Sequence, residues 1–519
     1  MNLSYSKLKF PVFAYISLPV FLFLAFYLRL SVGIPCIIAY AVAMFFSLKK
    51  EKNDKDLEKQ IFVSTKTLVF LFAVVLLWTF LGGLNGHWFQ TSDWDCRNAI
   101  FRDLITHYWP VRYWQSNSAL AYYIGHWLPA AAIARLIFRF GGESIAWEVG
   151  QNLLWIWTAV GLYLILLLLM AYYQIKNNKQ IFLVLLTFVF FSGMDIIGVC
   201  LTDNVSYLLG PDVLHLEWWS DIYQYSSITT CVYWVFNQSI IPWLTVMCFL
   251  FEKTPKNYIF ICVACLACGP LPLVGLAILM LARGIEYIVK EIRNCEFGKA
   301  VRNVLFPSNL LCMVTVVPVY LSFYLCNNAT SGTLNGGAEE PILTANVETV
   351  SIANRVWGWA SNNLLKFLAF FLLEVGIYLI LIFKENKNNL LYYTVWLSLL
   401  LIPHFHVGIS NDFCMRASIP SVFLVMVFCE KMLLKNMEDV RLHKKSRGNI
   451  RALLLSVALA IGAVTPCVEI GRGIYHVVEA GTVNLANDTI YTFDDDSVTY
   501  NFSTEDPDSK LFFRYFAQR

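Results

Sequence analysis

The chain is 519 residues long, 58% hydrophobic and 16% aromatic but only 14% charged, with a formal net charge of +3. A soluble domain carries about 25% charged residues, so this composition excludes both a soluble multidomain enzyme and a disordered chain. The small basic excess sits in short clusters between apolar runs, which argues against a nucleic-acid-binding face and for the cytoplasmic loops of a membrane protein.

In chain order, Met1 to Phe10 leads into an apolar run with no small-residue cleavage site, and reads as an anchor rather than a removable signal. Crossing a bilayer core takes about 20 apolar residues, fewer where helices are short or broken. The runs that qualify begin with Pro11–Leu30, Gly33–Leu48 and Leu68–Leu84, then Leu153–Tyr173, Ile181–Val199, Val232–Phe251 and Tyr258–Cys268. Leu271–Ile288, Leu310–Cys326, Leu364–Phe383, Leu390–Pro403, Ala417–Leu434 and Ala452–Val468 complete the set. Gly269-Pro270-Leu271-Pro272 breaks the chain tightly after Cys268, giving either two short spans or one interrupted helix.

The basic clusters order these runs. Lys49-Lys50-Glu51-Lys52, Lys176 to Lys179, Lys253 to Lys256, Lys290 to Arg302, Lys384 to Lys387 and Lys435 to Arg451 all fall on the cytoplasmic side on one condition. Ala119–Phe140 must not cross. Its His126, Pro129, Arg135 and Arg139 suit an interfacial helix. The expected fold is therefore an all-α polytopic membrane protein of about 13 transmembrane helices, N-terminus in and C-terminus out, with interfacial helices in the first large outer loop. Residues 1–64 form an N-terminal hairpin and cytoplasmic loop, 65–470 the main membrane module, and 471–519 an extracytoplasmic tail expected to be a small strand or loop cap.

Ionisable residues gather on the outer loops. The first loop reads NGHWFQTSDWDCRNAIFRDLITHYWPVRYW, with Asp93 and Asp95 followed by Arg97, Asn98, Arg102, Asp103, His107 and Arg112. Trp88, Trp94, Trp109 and Trp114 seat it at the membrane interface. A solvated loop of weak ion pairs would look similar, but a functional role for Asp93 or Asp95 is the better expectation. In FFSGMDIIG, Asp195 is a charge at the end of an apolar helix, costly without a wet cavity or a partner. The next loop, HLEWWSDIYQYSSITT, mixes Glu217, Tyr223 and Tyr225 with hydroxyls, a mixture suited to stacking and bonding a sugar. In HFHVGISNDFCMRASIP, Asn411, Asp412 and Arg416 crowd a short connector; Arg416 either pairs with Asp412 or forks onto a phosphate. Asp93, Asp95, Asp195 and Glu217 are expected to face one outward cavity. No P-loop, GxSxG, HExxH or Rossmann fingerprint occurs. Many of the 14 cysteines lie in apolar runs, Cys265 and Cys268 included, and read there as small hydrophobes.

The order of SDWDCRN, the Ala119–Phe140 segment and Asp195 in FFSGMDIIG resembles the GT-C superfamily of integral-membrane glycosyltransferases, over most of Leu68 to Leu434. Two extra N-terminal spans and no long soluble C-terminal domain depart from that pattern. The resemblance implies transfer of a sugar from a polyprenyl-phosphate donor to a glycan, lipid or protein acceptor, at a multi-pass cell-membrane protein whose site faces the periplasm or exterior. Asp93, or failing it Asp95, would take the acceptor proton and Asp195 would orient the reactants. Arg416, with Arg97 and Arg102 as competitors, would hold the phosphate, and a divalent cation between Asp93 or Asp95 and Asp195 is compatible with hard carboxylate ligands. The rival from a different class is a lipid-linked glycan flippase or other transporter, which needs ionisable residues inside the spans, as Glu374 and Glu430 are.

Overall fold

The computed structural model describes residues 2–49, 60–202, 215–328, 364–405, 412–441, 448–480, 490 and 500–518. Among these, nine helices are long and apolar enough to cross a membrane: Tyr5–Phe26, Leu30–Leu48, Leu128–Tyr173, Asn178–Leu201, Pro270–Arg293, Pro307–Tyr324, Leu364–Asn386, Asp412–Arg441 and Ile450–Glu479. One further apolar pair, Ile228–Trp234 and Phe236–Phe251, is bent by 113°. Large apolar side chains stand exposed along these and neighbouring helices, among them Val69, Phe70, Leu77, Ile380, Phe383 and Leu453. Soluble proteins rarely leave such continuous apolar faces in water; lipid covers them here. The chain is an all-α, multi-pass membrane protein.

The chain divides into two compact units. The first comprises Met1–Phe188, Thr230–Ser331 and Ile470–Arg519. At its centre the helix Leu128–Tyr173 packs against Tyr5–Phe26, Thr65–Leu81, Trp94–Thr106 and Ile240–Phe251. Lipid tails are as apolar as leucine, so close approach rather than escape from water drives such contacts. Gly161 supplies the approach: a Cβ there would lie 2.4 Å from both Ile240 and the Tyr15 hydroxyl. The Tyr15 ring stacks on Trp157 at 3.8 Å and its hydroxyl donates to the Trp157 carbonyl at 2.8 Å.

The segment Ala119–Phe140 is not the single interfacial helix that its composition suggests. Strand β4 (Ser118–Leu120) pairs with β3 (Arg112–Tyr113) and also with β5 (Ser503–Glu505) from the C-terminal tail, so pairing holds its first residues extended. A 3-10 turn over Ile124–His126 follows, and the helix begins only at Leu128, with a proline in its first turn where a missing N–H costs nothing. The other sheet is small: β1 (Asn2–Leu3) pairs antiparallel with β2 (Ile61–Phe62). The break after Cys268 resolves into two helices, Tyr258–Cys268 and Pro270–Arg293, with extended backbone at Gly269.

The second unit comprises Val189–Thr229 and Gly332–Glu469. Its described elements are the Asp195–Leu201 helix, a 3-10 turn over Leu216–Ser220, and the helices Leu364–Asn386, Leu390–Leu401, Asp412–Arg441 and Gly448–Gly462. The span Asn178–Leu201 loses helical structure over residues 191–194, immediately before Asp195.

The 46-residue helix Leu128–Tyr173 is interrupted at Gly142, whose φ of 80° and ψ of 176° belong to a region that only glycine enters readily. Nothing lies within 4 Å of a Cβ built there, so backbone strain alone opposes a side chain. Gly142→Ala is expected to destabilise the detergent-purified protein by about 1–3 kcal/mol, lowering its thermal unfolding midpoint. Gly141→Ala, whose Cβ would meet only ordinary contacts from 3.6 Å, is expected to be neutral or stabilising. Equal midpoints for the two variants would contradict the kink.

Candidate functional site

Asp93 stands at the head of the Trp94–Thr106 helix in the first unit. A helix N-terminus favours negative charge, which suits both Asp93 and Asp95, the latter half-buried in the first turn. Asp93 makes no side-chain cap; one turn on, Arg97 Nη2 donates to its Oδ2 at 2.8 Å. The Asp93 side chain is 47% exposed and Arg97 only 9%. Arg97 Nη1 is buried and has no partner among the described residues.

The helix beneath this pair is firmly held. The Trp94 ring stacks on Phe236 at 5.0 Å, and its indole N–H donates to the Tyr233 carbonyl at 3.1 Å. Asn98 donates to Gln90 Oε1 at 2.9 Å and accepts from Gln151 Nε2 at 3.1 Å, while Gln90 donates to the Gly83 carbonyl at 2.8 Å. Asn98, expected to meet substrate, is instead turned into this buried amide chain. Arg102 is bound to Glu143, with contacts of 2.6 and 2.7 Å. Of the sequence candidates in this helix, the structure brings Asp93 and Arg97 together as an ion pair whose carboxylate is exposed and whose guanidinium is buried.

Asp103 is the residue that sequence reasoning passed over. It is fully buried, accepting from the Tyr113 hydroxyl and from the backbone N–H of Ile490. Burial pushes its carboxyl up to about 7, against the pull of those two bonds and of Arg102. Its spacing to His107 is visible in the sequence, but the partner from position 490 is not.

In the second unit, Asp195 and Glu217 are both buried, together with His215, Glu374 and Glu469. Asp195 Oδ2 accepts from Ser192 Oγ at 3.0 Å and Thr465 Oγ1 at 2.8 Å. The backbone N–H of Met194 donates to the Leu373 carbonyl at 3.1 Å, which sets Glu374 beside Asp195, and Trp219 Nε1 donates to Glu374 Oε1 at 2.9 Å. Close packing explains the neighbouring glycines: a Cβ on Gly193 would lie 1.7 Å from Glu374 Oε2, and one on Gly198 2.1 Å from the Trp219 ring.

Glu217 accepts from the Ser227 N–H at 2.8 Å and Gln224 Nε2 at 3.1 Å. His215 lies between two carboxylates, with Nε2 3.3 Å from Glu217 and Nδ1 2.9 Å from Glu469. Burial works against its protonation, but the two glutamates outweigh it and raise the imidazole to about 10. An imidazolium clamped this way answers charges that would otherwise be stranded.

The other candidates in this unit are engaged elsewhere. Tyr223 and Tyr225, expected as sugar-stacking planes, are 0% and 2% exposed. Tyr223 stacks on Phe370 at 5.2 Å and the Tyr225 hydroxyl donates to the Leu399 carbonyl, so both rings are packing elements. Arg416 pairs with Asp412 at 2.9 Å, one helical turn apart. Asn411 lies outside the described residues. Asp93 and Asp95 belong to the first unit, and Asp195 and Glu217 to the second. Among the described residues, no group of three or more His, Cys, Asp or Glu side chains is arranged to hold a metal ion.

The His215 clamp gives the second unit a pH signature. The folded unit holds the proton up to about pH 10, while a free imidazole releases it near 6.5. The stabilisation is therefore complete below pH 6.5 and falls away as pH rises from there through about 10. Thermal unfolding of the purified protein is expected at lower temperature at pH 9 than at pH 7, with His215→Gln less stable at pH 7 and flatter between the two. Parallel pH dependence in both proteins would contradict the clamp.

Comparisons with family profiles, with curated proteins and with solved structures give no match to this chain.

Proposed function

We propose that the chain is a membrane glycosyltransferase of the GT-C kind, moving a sugar from a polyprenyl-phosphate donor to an acceptor on the extracytoplasmic side. The observation that carries this reading is the Asp93–Arg97 pair: an exposed carboxylate beside a buried guanidinium that keeps one N–H unused among the described residues. Thirteen spans are part of the proposal, and the bent pair with the shorter apolar helices Thr65–Leu81, Pro255–Cys268 and Leu390–His404 would bring the nine long helices to that number.

The chemistry needs a base and an anion holder. Asp93 takes the proton of the acceptor hydroxyl as that oxygen bonds to the anomeric carbon. The bond from that carbon to the phosphate oxygen breaks, and its electron pair leaves with the polyprenyl phosphate. Arg97 Nη1 meets the growing negative charge through a charge-assisted bond. Arg97 takes this role ahead of Arg102 and Arg416 because it stands beside Asp93, the proposed base. Asp195, bonded on several sides, holds the second unit together and takes no part in transfer.

One observation favours transport instead. Asp195 and Glu374 are buried acids where the Asn178–Leu201 span loses its helix, and broken spans around ionisable groups are a feature of ion-coupled transporters.

Release of polyprenyl phosphate from a panel of polyprenyl-phosphate hexoses and pentoses, in proteoliposomes with a membrane glycan fraction as acceptor, separates the two. Asp93→Asn is expected to lower turnover by about 10²–10⁴-fold with folding intact by size-exclusion profile. Arg97→Lys is expected to weaken donor binding by roughly tenfold or more, since it keeps the charge and loses the fork. Asp195→Asn, where it folds, retains turnover. No donor turnover by the wild type, together with a proton-driven flux abolished by Asp195→Asn, would establish the transport reading in its place.

A further inference from the structure

A cavity of about 950 Å³ in the first unit lies apart from the Asp93–Arg97 pair in the chain and is built by the turn after the Trp94–Thr106 helix together with the C-terminal tail. Its size is at the upper end of the roughly 300–1,000 Å³ typical of small-molecule sites. Tyr108 and Trp114 border it and are 80% and 77% exposed. They are nonetheless held. The Arg135 guanidinium lies over the Tyr108 ring at 5.1 Å, and Arg112 lies over Trp114 at 5.6 Å and over Phe513 at 5.3 Å. The frame behind them is the β3–β4–β5 sheet, and Gln518, also on the cavity wall, donates its backbone N–H to the Tyr27 carbonyl at 2.9 Å.

The polar groups decide the ligand. Arg112 Nη1 is paired with Asp508 at 3.0 Å, and the Asp508 side chain is 73% exposed. A phosphate entering here would find the Arg514 guanidinium on the same wall, but it would also meet the Asp508 carboxylate and compete for Arg112, which is already matched. A neutral polyhydroxylated molecule meets no such penalty, since the pair offers N–H donors and carboxylate acceptors together, and Gln518 offers both in one side chain. Pyranose rings add apolar faces that lie flat on exposed aromatic planes such as Trp114 and Tyr108.

We infer that this cavity is a saccharide-binding site that takes a neutral oligosaccharide, with Trp114 and Tyr108 as stacking platforms and the Arg112–Asp508 pair as its hydroxyl-reading element. The inference goes beyond the proposed transfer chemistry, because it needs neither Asp93 nor a lipid-linked donor. The C-terminal tail would then supply part of a recognition surface.

Detergent-solubilised full-length protein is titrated with glucan, mannan and N-acetylglucosamine tetrasaccharides, following tryptophan fluorescence and heat. Inorganic phosphate and phosphatidylglycerol nanodiscs serve as separate arms. At least one tetrasaccharide is expected to bind saturably. Trp114→Ala and Asp508→Asn are each expected to weaken it at least tenfold without changing the unfolding midpoint, while phosphate does not compete. Asp93→Asn is expected to bind the tetrasaccharide as wild type does, which separates this site from the proposed reaction. Failure of all three sugars to bind overturns the inference. So does sugar binding unchanged in Trp114→Ala, or a cavity response to phosphate or anionic lipid alone, the last of which would make these rings a membrane-interface anchor.

Discussion

A charge carried into an apolar interior must find its partner there, because water is not at hand to supply one. The second unit is arranged around that constraint. Asp195 accepts from Ser192 and Thr465, and Glu374 accepts from Trp219. The loss of helix over residues 191–194 releases Ser192 and Gly193 to make these approaches. Glu217, His215 and Glu469 form a second chain of the same kind, in which an imidazolium stands between two carboxylates. Removing one member of the Glu217–His215–Glu469 chain would strand the others.

The first unit meets the constraint differently. Beside the Asp93–Arg97 pair it buries neutral amides, while Asp103 on the same helix is buried against Tyr113. Asn98, Gln90 and Gln151 bond one another in sequence and leave Asp93 and Arg97 as the chargeable groups above them. Neutral amides are cheaper to bury than ions and still fix geometry, because each has both donors and an acceptor to place. A rigid frame around an exposed carboxylate paired with a buried guanidinium is the arrangement that preorganised chemistry asks for.

Much of this was legible in the sequence, and the reasons for success and failure are physical. Apolar length located the membrane helices, since crossing a bilayer imposes a run that few other structures require; even the short apolar runs Tyr258–Cys268 and Leu390–Pro403 are helices. Asp195 stood out as a lone acid in an apolar run, and its burial in a polar cluster follows from the cost that made it conspicuous. Glu374 was visible for the same reason, but its pairing with Asp195 was not, because 179 positions' worth of chain separation carries no local pattern and only the fold brings the two together. Tyr223 and Tyr225 misled because an aromatic with a hydroxyl has the same composition whether it faces a ligand or, like Tyr225, spends that hydroxyl on a distant carbonyl such as Leu399. Ala119–Phe140 misled because its leading residues are held extended by strand β5, from nearly four hundred residues downstream. Asp103 was hidden likewise, since part of its environment comes from position 490.

The most direct test of the proposed Asp93–Arg97 centre is a cryo-electron microscopy structure of the wild-type protein in lipid nanodiscs with bound polyprenyl phosphate, the leaving group of the reaction. The expected result is phosphate density within hydrogen-bond reach of Arg97, with the Asp93 carboxylate facing the position that the anomeric carbon would occupy. Phosphate density seated on Arg416 or Arg102, with Arg97 unchanged, would contradict it.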